Sequence, residues 1–328
     1  MKEVGMSKRI FLEEVGKPFS ITPVGNGRAW EIRNLHNDRT LPPLIYVVES
    51  RIGETFLLGR GVSGRLKFNM IRYIATLFVE LFLEQLKMKD CAQYLMLRGA
   101  YPFDLQHAFG NAPPYDRMLL PTGFMKLQRI LNPEGVDWEV KGQAFIGEYR
   151  GDTWLIPDPV IASGATIAFF LRNAFLHHLP KQVYLFTACG SLEGIQRIYQ
   201  VCLKEGVELI PVFSQCIFQV SRKGNLPNLP LTDLPVTNPG SITTKSFFEK
   251  ANSRYQGKRM CCVGDIDQSL EDPMTYSIQT LWEMQVLHMD PKKEDWNQWS
   301  IDVRQEDFKE RVQAFHPALA DHFKDLWR

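Results

Sequence analysis

Nine consecutive residues, Asp158-Pro159-Val160-Ile161-Ala162-Ser163-Gly164-Ala165-Thr166, put one acid, two hydroxyls and a glycine between two apolar runs. A turn of small and hydroxyl-bearing residues suits an anion. Backbone N–H groups converge on it, the following helix dipole favours negative charge, and Ser163 and Thr166 add donors. Gly164 counts because only a residue without Cβ lets the backbone come that close. Asp158 adds a different capacity. A carboxylate repels phosphate but accepts protons from adjacent sugar hydroxyls, so a ligand carrying both groups fits an acid-first, hydroxyl-last turn. Ribose 5-phosphate chemistry asks for that combination. The plainer alternative is a βα turn capped by Ser163 or Thr166.

The flanking residues must hold this turn. Trp154-Leu155-Ile156 reads as a strand, and Thr166 to His178 continue at a helical period. Tyr94 to Leu97 reads as a buried strand that runs into Arg98-Gly99-Ala100. A guanidinium offers a planar fork for phosphate oxygens, and the glycine lets N–H groups approach, although a helix-terminal turn with a surface arginine explains the same residues. Val183 to Thr187 and Val207 to Phe213 read as two more strands, with a helix between them to about Glu205. Such alternation predicts an α/β fold, a parallel sheet flanked by helices, with ligands at the carboxyl ends of the strands. Arg98 and Asp158 both fall at those ends.

From Gly64 to Lys87, apolar residues recur at helical spacing (Leu66, Met70, Ile74, Leu77, Phe78, Leu81, Phe82, Leu86), which predicts one long amphipathic helix. Arg65 and Lys67 sit in its first turn, where the dipole disfavours cations, so that end is either a solvated basic turn or bound to something. Residues 101–150 hold no strong period and several prolines, which suits a lid or a β-arm for dimerisation; the two are compatible. The segment 217–257 is proline-rich and reads as cover for a ligand pocket or a partner contact. Residues 1–50 carry short β-like runs, Leu44 to Val48 among them, as a hairpin region or an oligomer arm. Helical runs around Tyr276 to His288 and Glu306 to Trp327, with Trp282, Trp296 and Trp299, read as a helical appendage that covers the core or makes a subunit contact.

The totals exclude several classes. The chain has 328 residues, 45% hydrophobic and 23% charged, which marks an ordinary globular protein. Thirty-eight basic against 37 acidic side chains leave a net charge of +1, so neither nucleic acid nor an anionic membrane is expected as a partner. Six cysteines without a C-x-x-C pair fit buried thiols in a reducing compartment better than a disulfide framework or a zinc site. The charged N-terminus has no apolar signal-like stretch, and Ile74 to Leu83 is too short for a bilayer. The expectation is a soluble, cytoplasmic protein. The seven histidines form no metal-binding pattern.

The Asp158–Thr166 stretch resembles the phosphoribosyl-pyrophosphate (PRPP) loop of type I phosphoribosyltransferases, and its Asp-Pro form is similar to that of uracil phosphoribosyltransferases. Glu193-Gly194-Ile195 matches a further segment of those enzymes. Arg98-Gly99-Ala100 matches in part their Leu-Arg-Ala-Gly loop, which contacts pyrophosphate. Gly264-Asp265 resembles the start of their Gly-Asp-Ala-Gly-Asp-Arg loop by the base; Asp267 aligns only with a one-residue gap, and the arginine is missing. Taken alone, Asp265-x-Asp267-x-Ser269 also resembles the aspartyl nucleophile motif of haloacid dehalogenase-type phosphatases. In that fold the motif opens the domain, whereas here it lies near the end of the chain.

The resemblance implies a phosphoribosyltransferase-like core over 64–271 with a hood or arm (101–150) and the Pro-rich insertion (217–257). It leaves 1–63 as an N-terminal extension or arm and 272–328 as a helical C-terminal extension. It implies transfer of the 5-phosphoribosyl group from PRPP to a nucleobase-like acceptor, with uracil the nearest family answer, and release of pyrophosphate, as in nucleotide salvage. Ala162, Ser163, Gly164, Ala165 and Thr166 would hold the 5-phosphate, Asp158 the ribose hydroxyls as the catalytic-site acid, Arg98 and Gly99 the pyrophosphate. Gly264, Asp265 and Asp267 would neighbour the base. Mg2+ would be carried by PRPP, with no metal ligands from the protein, and the chain would form a homodimer or higher homo-oligomer. A non-catalytic PRPP or nucleotide-binding regulator on the same fold is the alternative.

Overall fold

The computed structural model describes residues 9–19, 27–82, 86, 90–97, 100–110, 119–131, 138–220, 240–258 and 266–324. The chain opens with β1 (Ile10–Phe11), α1 (Leu12–Val15), β2 (Gly16–Phe19), β3 (Arg28–Arg33) and β4 (Leu44–Glu49), followed by helices α2 (Arg51–Leu58) and α3 (Gly64–Phe82). Next come β5 (Cys91–Leu97), the short α4 (Leu105–Gly110) and the strands β6 (Thr122–Leu131) and β7 (Trp138–Ile146). A strand, short strand, helix unit then repeats: β8 (Thr153–Pro157), β9 (Val160–Ile161), α5 (Ala165–Ala174), then β10 (Gln182–Thr187), β11 (Cys189–Ser191), α6 (Leu192–Lys204). β12 (Glu208–Ser214), β13 (Cys216–Phe218), β14 (Ile242–Thr243), α7 (Lys245–Arg254), α8 (Ile266–Glu271), α9 (Pro273–Val286), α10 (Glu306–Phe315) and α11 (Pro317–His322) complete it.

Nine strands form the main sheet in the order β2-β3-β4-β12-β10-β8-β5-β6-β7. The six from β4 to β6 run parallel, and both outer ends are antiparallel. Helices cover both faces, which is why β8 and β10 are apolar along their length instead of alternating. Leu155, Tyr184, Phe186, Ile210 and Val212 pack on one face with Phe56, Phe78 and Leu281. Trp154, Ile156, Val183, Leu185 and Leu209 pack on the other with Ile167, Phe170, Ile195 and Ile198. The α/β architecture with a largely parallel, helix-flanked sheet is therefore as expected.

A second, five-stranded sheet, β1-β14-β13-β11-β9, caps the carboxyl edge. It was hidden in the sequence because its members are two or three residues long; Val160-Ile161, inside the candidate turn, is one of them.

Several expectations change in detail. The segment 1–63 supplies β2, β3 and β4 to the main sheet itself, with β4 paired in parallel to β12. Residues 101–150 hold a long β6–β7 hairpin at the sheet edge. Positions 141–144 and 146 of β7 are exposed, so no period-two burial pattern marks it. Within 217–257, β14 and α7 are regular elements, while 221–239 lie outside the described residues. The run expected over Glu306 to Trp327 breaks at His316-Pro317 into α10 and α11, as proline removes a helical donor.

Lys67 is not a solvated cation. It is 1% exposed, with Nζ 4.7 Å from the Tyr276 ring centroid, while Arg65 stays exposed. Residues 272–324 pack onto the same core as α2 and α3, through Leu281, Met284, Trp299, Phe308 and Val312. A buried charge group ties them down. Arg60 donates to the Arg254 carbonyl (2.8 Å) and pairs with Glu294, which also meets Arg254 (3.0 Å) and accepts from Trp299 Nε1 (3.1 Å). Burial pulls the Arg60 guanidinium down to about 10. Removing one member of such a group leaves an uncompensated buried charge, at a cost of about 3–5 kcal/mol.

Candidate functional site

The Asp158–Thr166 turn leaves the sheet at the carboxyl end of β8. Pro157 lies opposite Phe186 in the β8–β10 register, and Asp158 N–H donates to the Phe186 carbonyl (2.9 Å). Asp158 Oδ1 accepts from Val160 N–H (3.1 Å), a local turn that orients the carboxylate. Asp158, Ala162, Ser163, Ala165 and Thr166 are all half-buried. The turn thus lies at the surface of the site and not under its own helices.

Helix α5 starts without a side-chain cap. Its N-cap is Gly164, in the left-handed region at φ 69°, and no side-chain hydrogen bond closes the first turn. Ala168 N–H is the first to bond back, to the Gly164 carbonyl (3.0 Å), so the N–H groups of Ala165, Thr166 and Ile167 have no intrahelical acceptor. The plainer alternative, a turn capped by Ser163 or Thr166, is not what the chain adopts. First-turn donors and two hydroxyls remain for an anion.

The neighbouring unit holds this turn in place. Ser191 caps α6 by accepting from Gly194 N–H (2.9 Å) and donates to the Ala162 carbonyl (2.5 Å). Gly164 packs against Gly194 so tightly that a Cβ on Gly164 would overlap the Gly194 carbonyl oxygen. A Cβ on Gly194 would stand 2.5 Å from the Ala162 oxygen. Glycine is required on both sides of this contact. Neither Ser191 nor Gly194 stood out as a loop-positioning residue in the sequence. The available signal was a serine before Leu192-Glu193, a helix-start pattern.

Of the other candidate residues, Arg98 and Gly99 lie outside the described residues. The strand before them, β5, pairs with β8 through Gln93 and Leu155, so extending that register brings its carboxyl end level with Asp158. Gly264 and Asp265 also lie outside the described residues. Asp267 falls in the first turn of α8 rather than in an open loop, and its side chain is outside the described set. Asp158 and the Ala162–Thr166 backbone are therefore the candidates the structure brings together. Among the described residues, no group of three or more His, Cys, Asp or Glu side chains is placed to ligate a metal ion. No described helix is long and apolar enough to cross a membrane.

Fold and turn together define the class: an α/β protein that presents an uncapped helix N-terminus and one carboxylate at the carboxyl edge of a parallel sheet. No protein-family model and no curated protein matches the chain. Among solved structures, it is similar to the AQ2163 protein from Aquifex aeolicus at 20% identity and a TM-score of 0.42, over 54% of this chain and 90% of that one. It is also similar to adenine phosphoribosyl transferase from Trypanosoma brucei, solved with AMP, pyrophosphate and ribose-5-phosphate, at 9% identity and a TM-score of 0.35, over 52% and 83%. Orotate phosphoribosyltransferase from Aeropyrum pernix overlaps at 15% identity and a TM-score of 0.28, over 44% and 72%. Overlaps of that extent carry no functional weight, and the site rests on its own geometry.

Proposed function

We propose that this chain is a PRPP-dependent phosphoribosyltransferase that transfers the 5-phosphoribosyl group to a ring nitrogen of a nucleobase-like acceptor and releases pyrophosphate. The observation that carries the reading is the uncapped start of α5 at Gly164 beside Asp158. In this reading, N–H groups and hydroxyls from Ala162 to Thr166 hold the 5-phosphate, and Asp158 accepts from the ribose hydroxyls. Arg98 and Gly99, just past β5, neutralise the pyrophosphate. Gly264, Asp265 and Asp267 neighbour the base, for which uracil is the first candidate. One carboxylate suits a Mg2+ that arrives with PRPP and takes its other ligands from substrate oxygens and water. The β6–β7 hairpin serves as hood or dimer arm.

Little covalent work falls to the protein. Rate comes from alignment of the acceptor nitrogen with C1 of the ribose, neutralisation of the leaving pyrophosphate and exclusion of water from an oxocarbenium-like transition state. Incubation with PRPP, Mg2+ and a panel of pyrimidine and purine bases should release pyrophosphate with at least one base. Asp158→Asn should lower PRPP affinity or turnover by at least about tenfold while the fold survives.

One observation favours a second reading. Proline follows Asp158 where the broader family has a second acid, which leaves the turn a single carboxylate. Saturable PRPP binding without pyrophosphate release for any base would make the chain a PRPP- or nucleotide-binding regulator. No binding at all would remove both readings.

A further inference from the structure

Away from the Asp158 turn, a cavity of about 340 Å³ opens where β4 and β12 end, between the starts of α2 and α7. Both helix starts are capped, α2 by Ser50 and α7 by Thr244, so the helix ends alone make no site there. The side chains do. Arg28, Arg51 and Lys250 line the cavity together with Glu13, Glu49 and Glu54.

Each carboxylate is engaged by the protein. Glu49 accepts from Trp30 Nε1 (2.7 Å) and from Thr244 Oγ1 (2.9 Å). Glu54 pairs with Lys250 (2.7 Å), and Glu13 accepts from Lys245 N–H (3.1 Å). Arg28 and Arg51 have no carboxylate partner among the described residues. Lys250 and Glu54 therefore neutralise each other, while Arg28 and Arg51 line the cavity without an ion pair among the described residues, beside the hydrogen-bonded carboxylates of Glu13 and Glu49.

Gln215 supplies an independent sign. It lines the cavity, is 3% exposed, and holds a left-handed backbone (φ 59°) that a glutamine rarely adopts. Its Oε1 accepts from Ser50 N–H (2.6 Å), which fixes the amide orientation, and its Nε2 finds no acceptor among the described residues. An amide donor without a protein acceptor among the described residues, on a cavity wall and in a left-handed backbone held by the Val48 carbonyl (3.0 Å), is a feature of ligand sites.

We propose that this cavity binds a small organic anion, carboxylate or phosphate, through Arg28, Arg51 and Gln215 Nε2. The site is two to three strand spacings from Asp158 along the sheet edge, roughly 10–14 Å, and does not depend on the phosphoribosyltransferase reading. Charge-assisted pairs to guanidinium are the strong contacts available to either anion.

Trp30 provides a local reporter, because it bonds Glu49 on the wall and its ring lies 5.8 Å from the Arg28 guanidinium carbon. With 5-fluorotryptophan incorporated in the full chain and the Trp30 signal assigned by Trp30→Phe, malonate and inorganic phosphate are titrated separately by 19F NMR. The Trp30 resonance should move saturably with at least one. Malonate alone would identify a carboxylate site, and phosphate alone a phosphate site. Arg28→Gln combined with Arg51→Gln, both at exposed positions, should weaken that response by at least about tenfold. A Trp30 signal that responds to neither anion, or equally in the double variant, overturns the proposal. Trp154 sits at the amino end of β8, packed on Phe175 and His178, so PRPP binding at the Asp158 turn is read separately, by calorimetric titration against Asp158→Asn. PRPP binding seen there with Trp30 silent would leave the phosphoribosyltransferase reading intact.

Discussion

Helices α5 and α6 start in the same surroundings and in opposite ways. Each follows a central parallel strand and a short strand of the capping sheet. At α6, Ser191 accepts the Gly194 N–H and Glu193 sits in the first turn, so the chain itself complements the helix end. At α5, glycine takes the cap position, no acid lies in the first turn, and no side chain closes it. α2, α7 and α9 follow the α6 pattern with Ser50, Thr244 and Asp272. α10 also has no side-chain cap, yet Glu306 and Asp307 occupy its first turn; the short α11 has neither cap nor acid, and Pro317 opens it, which removes one of the open donors. The lesson is that open donors at α5 are not a failure to find a capping residue. Ser163 and Thr166 are adjacent and do not cap, while Ser191 reaches across to hold the turn open through Ala162.

The comparison can be broken most severely at Gly164. Gly164→Ala adds a Cβ to a left-handed residue and drives it into Gly194, so stability should fall by about 2–4 kcal/mol, with PRPP binding lost. Denaturant unfolding and calorimetric titration measure the two. Thr166→Glu makes the first turn of α5 resemble that of α6. It should leave the melting temperature unchanged or slightly raised while PRPP affinity falls by more than about 100-fold, since like charges placed together cost several kcal/mol.

Ser191→Ala should cost about 1–2 kcal/mol and also weaken PRPP binding, because the Ala162 tether goes with the cap. Asp272→Ala removes a cap of similar worth on α9, where Asp272 accepts from Thr275 N–H, and should leave PRPP affinity unchanged. Equal affinities for the two variants would show that the tether is structural only.

The smallest effect lies outside both turns. Burial raises the Glu80 carboxyl above its ordinary value, and its Oε2 is buried without a hydrogen-bond partner among the described residues. A raised folded-state pKa means a contribution present at pH below the unfolded value and lost as pH rises through the folded one. Glu80→Gln should therefore stabilise the neutral-pH protein by less than about 1 kcal/mol, with the gain vanishing in acid and PRPP binding unaffected. Thermal melts across pH measure it.

The central parallel strands β5, β8, β10 and β12 and helix α3 were legible in the sequence because burial on both faces or on one stripe leaves long apolar signals, as in Trp154 to Ile156 or Leu66 to Phe82, whereas β6 carried no such period. The turn was legible as a motif for the same reason that it works, since glycine, hydroxyls and acid are all local. What escaped was non-local. Ser191 and Gly194 act on residues 29 or 30 positions earlier, and the β9–β11 pairing involves strands too short to show a period. The place of β4 beside β12, and of Arg60 against Glu294, depends on contacts across most of the chain. For Lys67 the sequence left a solvated turn and a bound one both open, and only the fold shows the aromatic rings that enclose it.

A crystal grown with PRPP and Mg2+ tests the α5 turn most directly. The 5-phosphate oxygens should lie within hydrogen-bonding distance of N–H groups between Ser163 and Ile167, with the ribose hydroxyls on Asp158. PRPP bound elsewhere in the molecule, with that turn free of phosphate, would contradict it.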